Sequence, residues 1–303
     1  MIELRATTRI LLFLGLGLAC ASCRAETQEA RRLATACEAG DTAACHDFGL
    51  RLLHGEYVLQ DQPRAAELFE QACDAAIGPA CAQLGVMLEE GRGIDADSAR
   101  AAALYRKACD ADALDGCMRL GVLYREGIAV PTDVAAAATL FERACDGGDR
   151  EACAYFGTLL AEGEGVPRDV ARAAALLQDT CDDEMVRGCV ALGRLHVDGA
   201  GVTQDDSVAN ELFRKACHGS DATGCFLLGV RFAEGVGSPQ DFGRAAQMYR
   251  RACDRRHAEA CYRLAEAYAT GAGMYPQPER AEDLRERACE LGHRAACPQQ
   301  AES

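Results

Sequence analysis

The chain has 303 residues, a formal net charge of −15 and no tryptophan, and 18 of its residues are cysteine. Hydrophobic residues make up 49% of the sequence but aromatic residues only 6%, which favours closely packed helices over a sheet. The acidic balance argues against a nucleic-acid-binding or anionic-membrane-binding surface, because both need a basic footprint.

Residues 1–22 are predicted to be an export signal. A charged start is followed by a short uncharged apolar run at 10–18 and then by small residues and cysteines. The run is too short for a permanent membrane span. Two outcomes stay open: cleavage at the A-x-A-like site 19–21, or lipidation at Cys23 or Cys20 in a run that resembles a lipoprotein signal. We favour lipidation.

Residues 26–303 are predicted to form one repeat domain. After a helix at 26–38, cysteine pairs eight positions apart recur every 36 residues without an insertion or deletion. A fixed period of this length is typical of a solenoid built from one supersecondary unit. The pairs are Cys37/Cys45, Cys73/Cys81, Cys109/Cys117, Cys145/Cys153, Cys181/Cys189, Cys217/Cys225, Cys253/Cys261 and Cys289/Cys297.

Each unit is predicted to be a pair of helices, which we call helix A and helix B. In the type unit, helix A spans about 80–90 and ends at Gly91, and helix B spans about 98–110 and follows a capping Asp97. The aspartate recurs as Asp61, Asp97, Asp133, Asp169, Asp205 and Asp241, and the helix-ending glycine recurs in all seven units.

A second glycine lies in the middle of helix A. It is present in six units and is replaced by Ala265 in the seventh. A glycine inside a helix costs about 1 kcal/mol relative to alanine, so its recurrence predicts a close approach of two backbones. The six glycines are Gly49, Gly85, Gly121, Gly157, Gly193 and Gly229.

The repeat frame, well represented by Gly121, Tyr124, Gly127 and residues 136–141, resembles the Sel-one-like repeat (SLR), a relative of the tetratricopeptide repeat. The added cysteine pair is similar to the cysteine-rich secreted bacterial branch of that family, and the resemblance covers about 37–297. It implies an all-α, right-handed α/α solenoid of seven 36-residue helix-turn-helix repeats with terminal caps. In the last unit Gln277 replaces the aspartate and Arg285 replaces an aromatic residue, which indicates a cap.

The periodic cysteines are predicted to form disulfides within each pair. Residues eight apart in one helix would be about 12 Å apart, beyond the roughly 7 Å limit for a disulfide, so the chain must turn between them. Each bond would then join the end of one helix B to the start of the next helix A. Zinc is the weaker alternative, because the six histidines fall at no common repeat position. Disulfides also predict an oxidising compartment.

The resemblance also implies an alternative function, since the cysteine-rich SLR branch is associated with penicillin binding and weak β-lactamase activity. The residues give it little support: no serine has a lysine three positions later, and both lysines precede alanine. We therefore expect no catalytic residue, no metal and no cofactor.

Two features are candidates for binding. Phe226, Leu227 and Tyr262 are apolar residues at positions just after the second cysteine, which vary between units and are expected to face solvent or a ligand. They could form a docking patch or pack within the last units. Acidic residues just before the helix-ending glycine could make local contacts or a negative groove for basic peptides. These acids are Glu90, Glu126, Glu162, Asp198 and Glu234.

The sequence therefore predicts an exported scaffold that binds a protein or peptide. The acid series would favour a basic partner. It predicts no nucleic-acid partner and no membrane contact except through a lipid anchor. The expected location is the periplasm, the envelope or the exterior of the cell, and the oligomeric state is not predicted.

Overall fold

The computed structural model describes residues 26–181 and 186–297. Within these ranges the regular elements are helical and no β-strand occurs, so the all-α prediction is confirmed. The elements are α1 (26–38), α2 (Thr42–His54), α3 (Gln62–Asp74), α4 (Gly78–Glu90), α5 (Ser98–Asp110), α6 (Leu114–Glu126), α7 (Val134–Asp146), α8 (Arg150–Glu162), α9 (Val170–Thr180), α10 (Arg187–Asp198), α11 (Asp206–His218), α12 (Ala222–Glu234), α13 (Phe242–Asp254), α14 (Ala258–Thr270), α15 (Pro278–Glu290) and a 3-10 turn at Arg294–Ala296.

The helices belong to two compact units, of which the first ends at Gly147 and the second begins at Gly148. In the first unit the A helices α2, α4 and α6 each pack on the B helix that follows, and α3 and α5 each pack on the next A helix. In the second unit α8, α10, α12 and α14 pack in the same way on α9, α11, α13 and α15. Each unit is thus a stack of helical hairpins, as the repeat predicted.

Helix boundaries follow the predicted signals. All six recurrent aspartates cap a B helix, and each carboxylate accepts a backbone N–H of the first turn. The helix-ending glycines adopt positive φ, as Gly91 does at 67°. One boundary was wrong: α4 begins at Gly78 rather than at residue 80, because Pro79 fits the first turn of a helix, where its missing N–H is not needed.

The mid-helix glycines chiefly meet side chains rather than a second backbone, an aromatic ring at five of the six positions and Leu177 at Gly157, so the predicted partner was wrong. A Cβ on Gly193 would lie 2.6 Å from Cε1 of Phe213, which is buried in the B helix of the same hairpin. The seventh hairpin explains the pairing, because there Ala265 replaces the glycine and Arg285 replaces the ring. The glycine therefore makes room for a side chain twenty positions later.

The sixteen periodic cysteines are all disulfide-bonded, and seven of the predicted pairings are confirmed. Cys145 and Cys153 are both disulfide-bonded. Seven further bonds join cysteines eight positions apart with Cα–Cα distances of 4.4–4.7 Å, namely Cys37–Cys45, Cys73–Cys81, Cys109–Cys117, Cys181–Cys189, Cys217–Cys225, Cys253–Cys261 and Cys289–Cys297.

The second cysteine of most pairs lies at the start of an A helix, as predicted. Cys117, Cys189 and Cys261 lie near the amino ends of α6, α10 and α14, and all three are buried. The bonds therefore fix the turns between consecutive hairpins.

The last bond differs from this prediction, because Cys297 does not open an A helix. It follows the 3-10 turn in an extended conformation, with φ of −73° and ψ of 139°. The physical reason is Pro298, since a residue before proline is disfavoured in the helical region. The bond from Cys289 to Cys297 thus ties a short turn, rather than another hairpin, to the end of α15.

The carboxyl-terminal end of the described chain is polar. Helix α15 buries only Ala281 and Ala288, and a short 3-10 turn follows it, as expected for a terminal cap whose outer face meets water. The predicted signal at 1–22, with Cys20, and the alternative lipidation residue Cys23 lie outside the described residues. None of the helices in the described ranges combines the length and the apolar character that crossing a bilayer requires.

Candidate functional site

The acid series lies at the carboxyl ends of the A helices. Glu90 and Glu126 are the last residues of α4 and α6 in the first unit, and Glu162, Asp198 and Glu234 are the last residues of α8, α10 and α12 in the second. All five are exposed. In the second unit α8 contacts α10 and α10 contacts α12, and packed helix axes lie about 10 Å apart. Its three acids therefore stand on adjacent helix ends.

Local compensation for these charges is limited. A helix carboxyl end already carries a partial negative charge, so an acid there is unfavourable by a few tenths of a kcal/mol. Oε2 of Glu90 lies 2.6 Å from Nε of Arg92 and forms an ion pair with it. Glu126, Glu162, Asp198 and Glu234 make no hydrogen bond or ion pair with any residue in 26–181 or 186–297. We call Glu162, Asp198 and Glu234 the acid ridge.

Arg168 and Arg194 are exposed cations near the acid ridge, and Nε of Arg168 donates to the carbonyl of Ala161 at 2.9 Å. Arg194 of α10 is exposed, precedes Asp198 by one helical turn, and makes no ion pair with the part of the chain that the structure describes. Its helical neighbours Val190, Ala191 and Val197 are partly buried. Asp198 is thus bordered by small apolar side chains and by the guanidinium of Arg194, a residue that the sequence analysis did not single out.

The positions after the second cysteine are not generally open to solvent, so that expectation was wrong for part of the series. Ala82, Met118 and Ala154 are all buried, with exposed fractions of 7% or less. The contacts of Phe226 show the cause, since its ring lies 4.5 Å from that of His257 in the next hairpin. This position faces the following hairpin and fills the space between repeats.

The three apolar candidates of the last repeats lie partly buried at such contacts. The ring of Phe226 stacks on His257 with an interplanar angle of 21°, and the ring of Tyr262 lies 4.7 Å from that of His293. Leu227 packs against the core formed around Phe232. All three side chains are therefore occupied by packing, and only their partly exposed remainder faces solvent.

Two histidines share a repeat position, contrary to the expectation that none did. His257 and His293 are 36 residues apart and precede α14 and the 3-10 turn. Nδ1 of His257 accepts the N–H of Ala260 at 3.2 Å. Burial lowers the pKa of His257, and the carboxylates of Glu259 and Asp221 oppose this shift. Comparing residues one period apart would have found this pair in the sequence.

A partly buried polar network joins α4, α5 and α6 of the first unit, in which Nη1 of Arg119 lies 3.9 Å from Oε2 of Glu89. The hydroxyl of Tyr105, which is fully buried, donates to Oε2 of Glu89 at 2.6 Å, and Nε of Arg119 donates to Oδ1 of Asp115 at 3.1 Å. Burial, followed by the hydrogen bond with Glu89, raises the pKa of Tyr105 far above its usual range. The network fixes Glu89 and Arg119 at the surface of α4 and α6, but Tyr105 looked in the sequence like an ordinary core aromatic.

A second network occupies the core side of α12. Nε of Arg231 donates to Oδ1 of Asn210 at 2.9 Å, a second guanidinium nitrogen bonds to Asp206, and Nδ2 of Asn210 donates to the carbonyl of Val236 at 2.8 Å. The sequence held a signal that we missed. Asn210 stands where most repeats have alanine, and Arg231 stands where four consecutive repeats, at Met87, Leu123, Leu159 and Leu195, are apolar.

In residues 26–181 and 186–297, no group of three or more histidine, cysteine, aspartate or glutamate side chains is placed to hold a metal ion. The cysteine thiols of the repeats are consumed in disulfides.

The repeats of this chain match a known protein family. A family model described as the Sel1 repeat matches residues 42–76, 78–112, 114–149, 150–182, 186–221, 222–257 and 258–293. No curated protein sequence matches the chain.

Three solved structures are similar. A protective antigen of uropathogenic Escherichia coli that displays an SLR fold is 25% identical, with a TM-score of 0.67 over 88% of this chain, which spans only 57% of that antigen. A Sel1 repeat protein from Oxalobacter formigenes is 19% identical, with a TM-score of 0.72 over 86% of this chain and 99% of that one. Helicobacter pylori cysteine rich protein B is 25% identical over 43% of this chain and 96% of its own, with a TM-score of 0.35.

Proposed function

The chain belongs to the Sel1 repeat family, and we propose that it is an exported scaffold that binds a basic protein or peptide at the cell envelope. Sel1 repeat proteins generally bind proteins, and the hairpin stack presents side chains on a framework that the disulfides hold in place. Rigid presentation favours binding because less conformational freedom is lost when the partner docks.

The compartment is part of the proposal. Disulfides in such number are typical of an oxidising environment outside the cytoplasm, and sixteen bonded cysteines fit that environment. An export signal at residues 1–22 would deliver the chain there. Lipidation at Cys23 or Cys20 would anchor it to the envelope, whereas cleavage at 19–21 would release it to the periplasm or the exterior.

The acid ridge is the observation that supports a basic partner. Its three carboxylates are exposed, lie on adjacent helix ends and have no ion-pair partner among the residues that the structure describes. A lysine or arginine side chain of a partner would relieve both the carboxylate and the helix dipole. Each such exposed pair contributes roughly 0.2–1 kcal/mol, so three acting together support about a tenfold gain in affinity.

Glu90 and Glu126 would extend the preference for basic side chains of a partner to the first unit. Phe226, Leu227 and Tyr262 would add apolar contact through the parts of their side chains that remain accessible. A partner with basic residues spaced along an amphipathic segment suits both features.

Fluorescence anisotropy with a labelled lysine- and arginine-rich peptide tests the proposal. The full chain should bind this peptide and not an acidic peptide of equal length, and binding should weaken as salt rises. The variant Glu162→Gln/Asp198→Asn/Glu234→Gln should bind about tenfold more weakly.

A matched control removes the same charge elsewhere. Glu279, Glu282 and Glu286 are exposed acids of α15, and changing all three to glutamine should leave affinity nearly unchanged. Arg194→Gln removes a cation near the ridge and should not weaken binding. Equal losses in the two triple variants would mean that only net charge attracts the peptide, and the ridge would be rejected as a site.

A further inference from the structure

The side-chain cap before the A helices of the second unit differs from helix to helix, and α10, which follows Val186, has none. Asp149 caps α8 and Asp221 caps α12, each through a carboxylate oxygen that accepts a backbone N–H of the first turn. At the equivalent position before α14, His257 does the same with Nδ1, which accepts the N–H of Ala260. The cap of α14 is therefore an imidazole, whereas α8 and α12 use carboxylates.

The imidazole can act as this cap only when it is neutral. Nδ1 must offer a lone pair to the N–H of Ala260, so the ring proton of the capping form resides on Nε2. A second proton would occupy Nδ1 and place one N–H against another. The carboxylate caps of α8 and α12 have no ring nitrogen that protonation could convert from an acceptor to a donor, so the α14 cap differs from them in its chemistry.

The ring of His257 is also part of the packing between hairpins. It is half-buried and stacks on Phe226 of α12 at a centroid distance of 4.5 Å. Protonation would have to charge a ring that lies against an aromatic face and an apolar cluster containing Cys225 and Ala260. Loss of the cap therefore acts at the contact between α12 and α14.

The charges around the ring come from several elements. Glu259 of α14 and Asp221 before α12 favour the charged ring, but burial outweighs them and lowers the pKa of His257. Arg255 in the turn after α13 is held by the hydroxyl of Ser220 and the carbonyl of Arg251. Other charged groups near these turns are exposed, among them Asp254 and Arg256 at the end of α13 and Glu290 at the end of α15.

His293, one repeat later, is an internal contrast. It makes no side-chain cap, and its Nδ1 lies 3.3 Å from Oε2 of Glu259. A proton on His293 would strengthen that contact, whereas a proton on Nδ1 of His257 breaks a hydrogen bond. The two histidines share a repeat position but differ in their response to acid.

We propose that His257 makes the start of α14 acid-sensitive: on protonation the cap breaks, the first turn of α14 opens, and Phe226 loses the ring that covers it. The direction of the pH effect on stability follows from the linkage between proton binding and folding. Because the pKa of His257 is lowered on folding, the unfolded chain takes up the proton first. The stabilisation is complete above about pH 6.5, the ordinary histidine value, and is lost as pH falls below it.

Side-chain ¹⁵N NMR and amide hydrogen exchange of the full chain, with its disulfides intact, test this proposal. His257 should show the tautomer protonated on Nε2 and should titrate below about pH 6.5. The protection factor of the Ala260 amide, corrected for intrinsic exchange, should fall about tenfold between about pH 7 and pH 5, which corresponds to about 1.4 kcal/mol.

Two variants separate the cap from other acid effects. His257→Asn supplies a cap that does not titrate and should abolish the fall in protection at Ala260, while His293→Asn should leave it in place. Titration of His257 at or above about pH 6.5, a proton on Nδ1 in the neutral form, or an equal fall in His257→Asn would each overturn the proposal. The wild-type titration decides the question even if a variant fails to fold.

Discussion

Replacement of Gly193 by alanine should destabilise the chain, although alanine is the better helix former. The substitution gains up to about 1 kcal/mol in helix propensity. The new Cβ, however, would lie 2.6 Å from Cε1 of Phe213, roughly 1 Å inside the usual carbon–carbon contact. Phe213 is 1% exposed, so its ring cannot move aside freely. Overpacking of this kind costs about 1–3 kcal/mol, which leaves a net loss of about 1 kcal/mol.

Gly157 provides the matched control, because its helix faces Leu177 and the added Cβ would lie 3.0 Å from Cγ. A branched aliphatic side chain yields more easily than a ring, so Gly157→Ala should be near neutral. The loss in Gly193→Ala should largely disappear when Phe213→Leu is added.

Amide hydrogen exchange on α10 and α11 is the suitable assay, since a repeat array need not unfold in one step. Our reasoning about the ring would be refuted if Gly193→Ala were as stable as the wild type, or if it lost no more stability than Gly157→Ala.

Three further outcomes follow from the structure. Cys217→Ser/Cys225→Ser should lower the free energy of unfolding by about 2.5 kcal/mol, because the bond closes a loop of about nine residues; unchanged denaturant unfolding would contradict this. Asn210→Leu should cost about 2–3 kcal/mol by leaving the buried Arg231 without a partner at Nε, and thermal unfolding will measure the loss, with no change counting against the network. Burial raises the pKa of Tyr249 to about 12, an effect that Arg263 opposes. The stabilisation from neutral Tyr249 is therefore complete below about pH 10, the ordinary tyrosine value, and is lost as pH rises towards about 12. Tyr249→Phe should flatten that loss in unfolding measurements at about pH 9 and 11, and an unaltered slope would exclude Tyr249 as its source.

Local features of the fold were predictable because their causes lie within a few residues. Asp97 and Gly91 delimit their helices through their own hydrogen bonds and backbone angles. The turn between Cys73 and Cys81 followed from chain reach, since the two residues cannot be bonded unless the chain turns between them. These inferences needed no knowledge of how one hairpin lies on the next.

Features that depend on neighbouring hairpins were harder to predict. Ala82 appeared variable and therefore exposed, yet it is buried because its position faces the following repeat. The mid-helix glycines were assigned a backbone partner, although the joint change at Ala265 and Arg285 already pointed to a side chain. The acid series is exposed, which is consistent with its position at the helix ends. That Glu162 forms no ion pair within the described ranges could not be predicted, because it depends on the conformations of long neighbouring side chains.

The spacing of the disulfides also bears on how the chain acquires them. Each cysteine in a pair such as Cys73 and Cys81 is bonded to the periodic cysteine nearest to it in sequence. Closing the alternative loop from Cys45 to Cys73, about 29 residues instead of nine, costs about 1 kcal/mol more in chain entropy. An oxidant that meets the chain progressively from its amino end would thus tend to form the correct bond before the wrong partner has emerged. Such a protein should mature with little need for an isomerase to reshuffle its thiols.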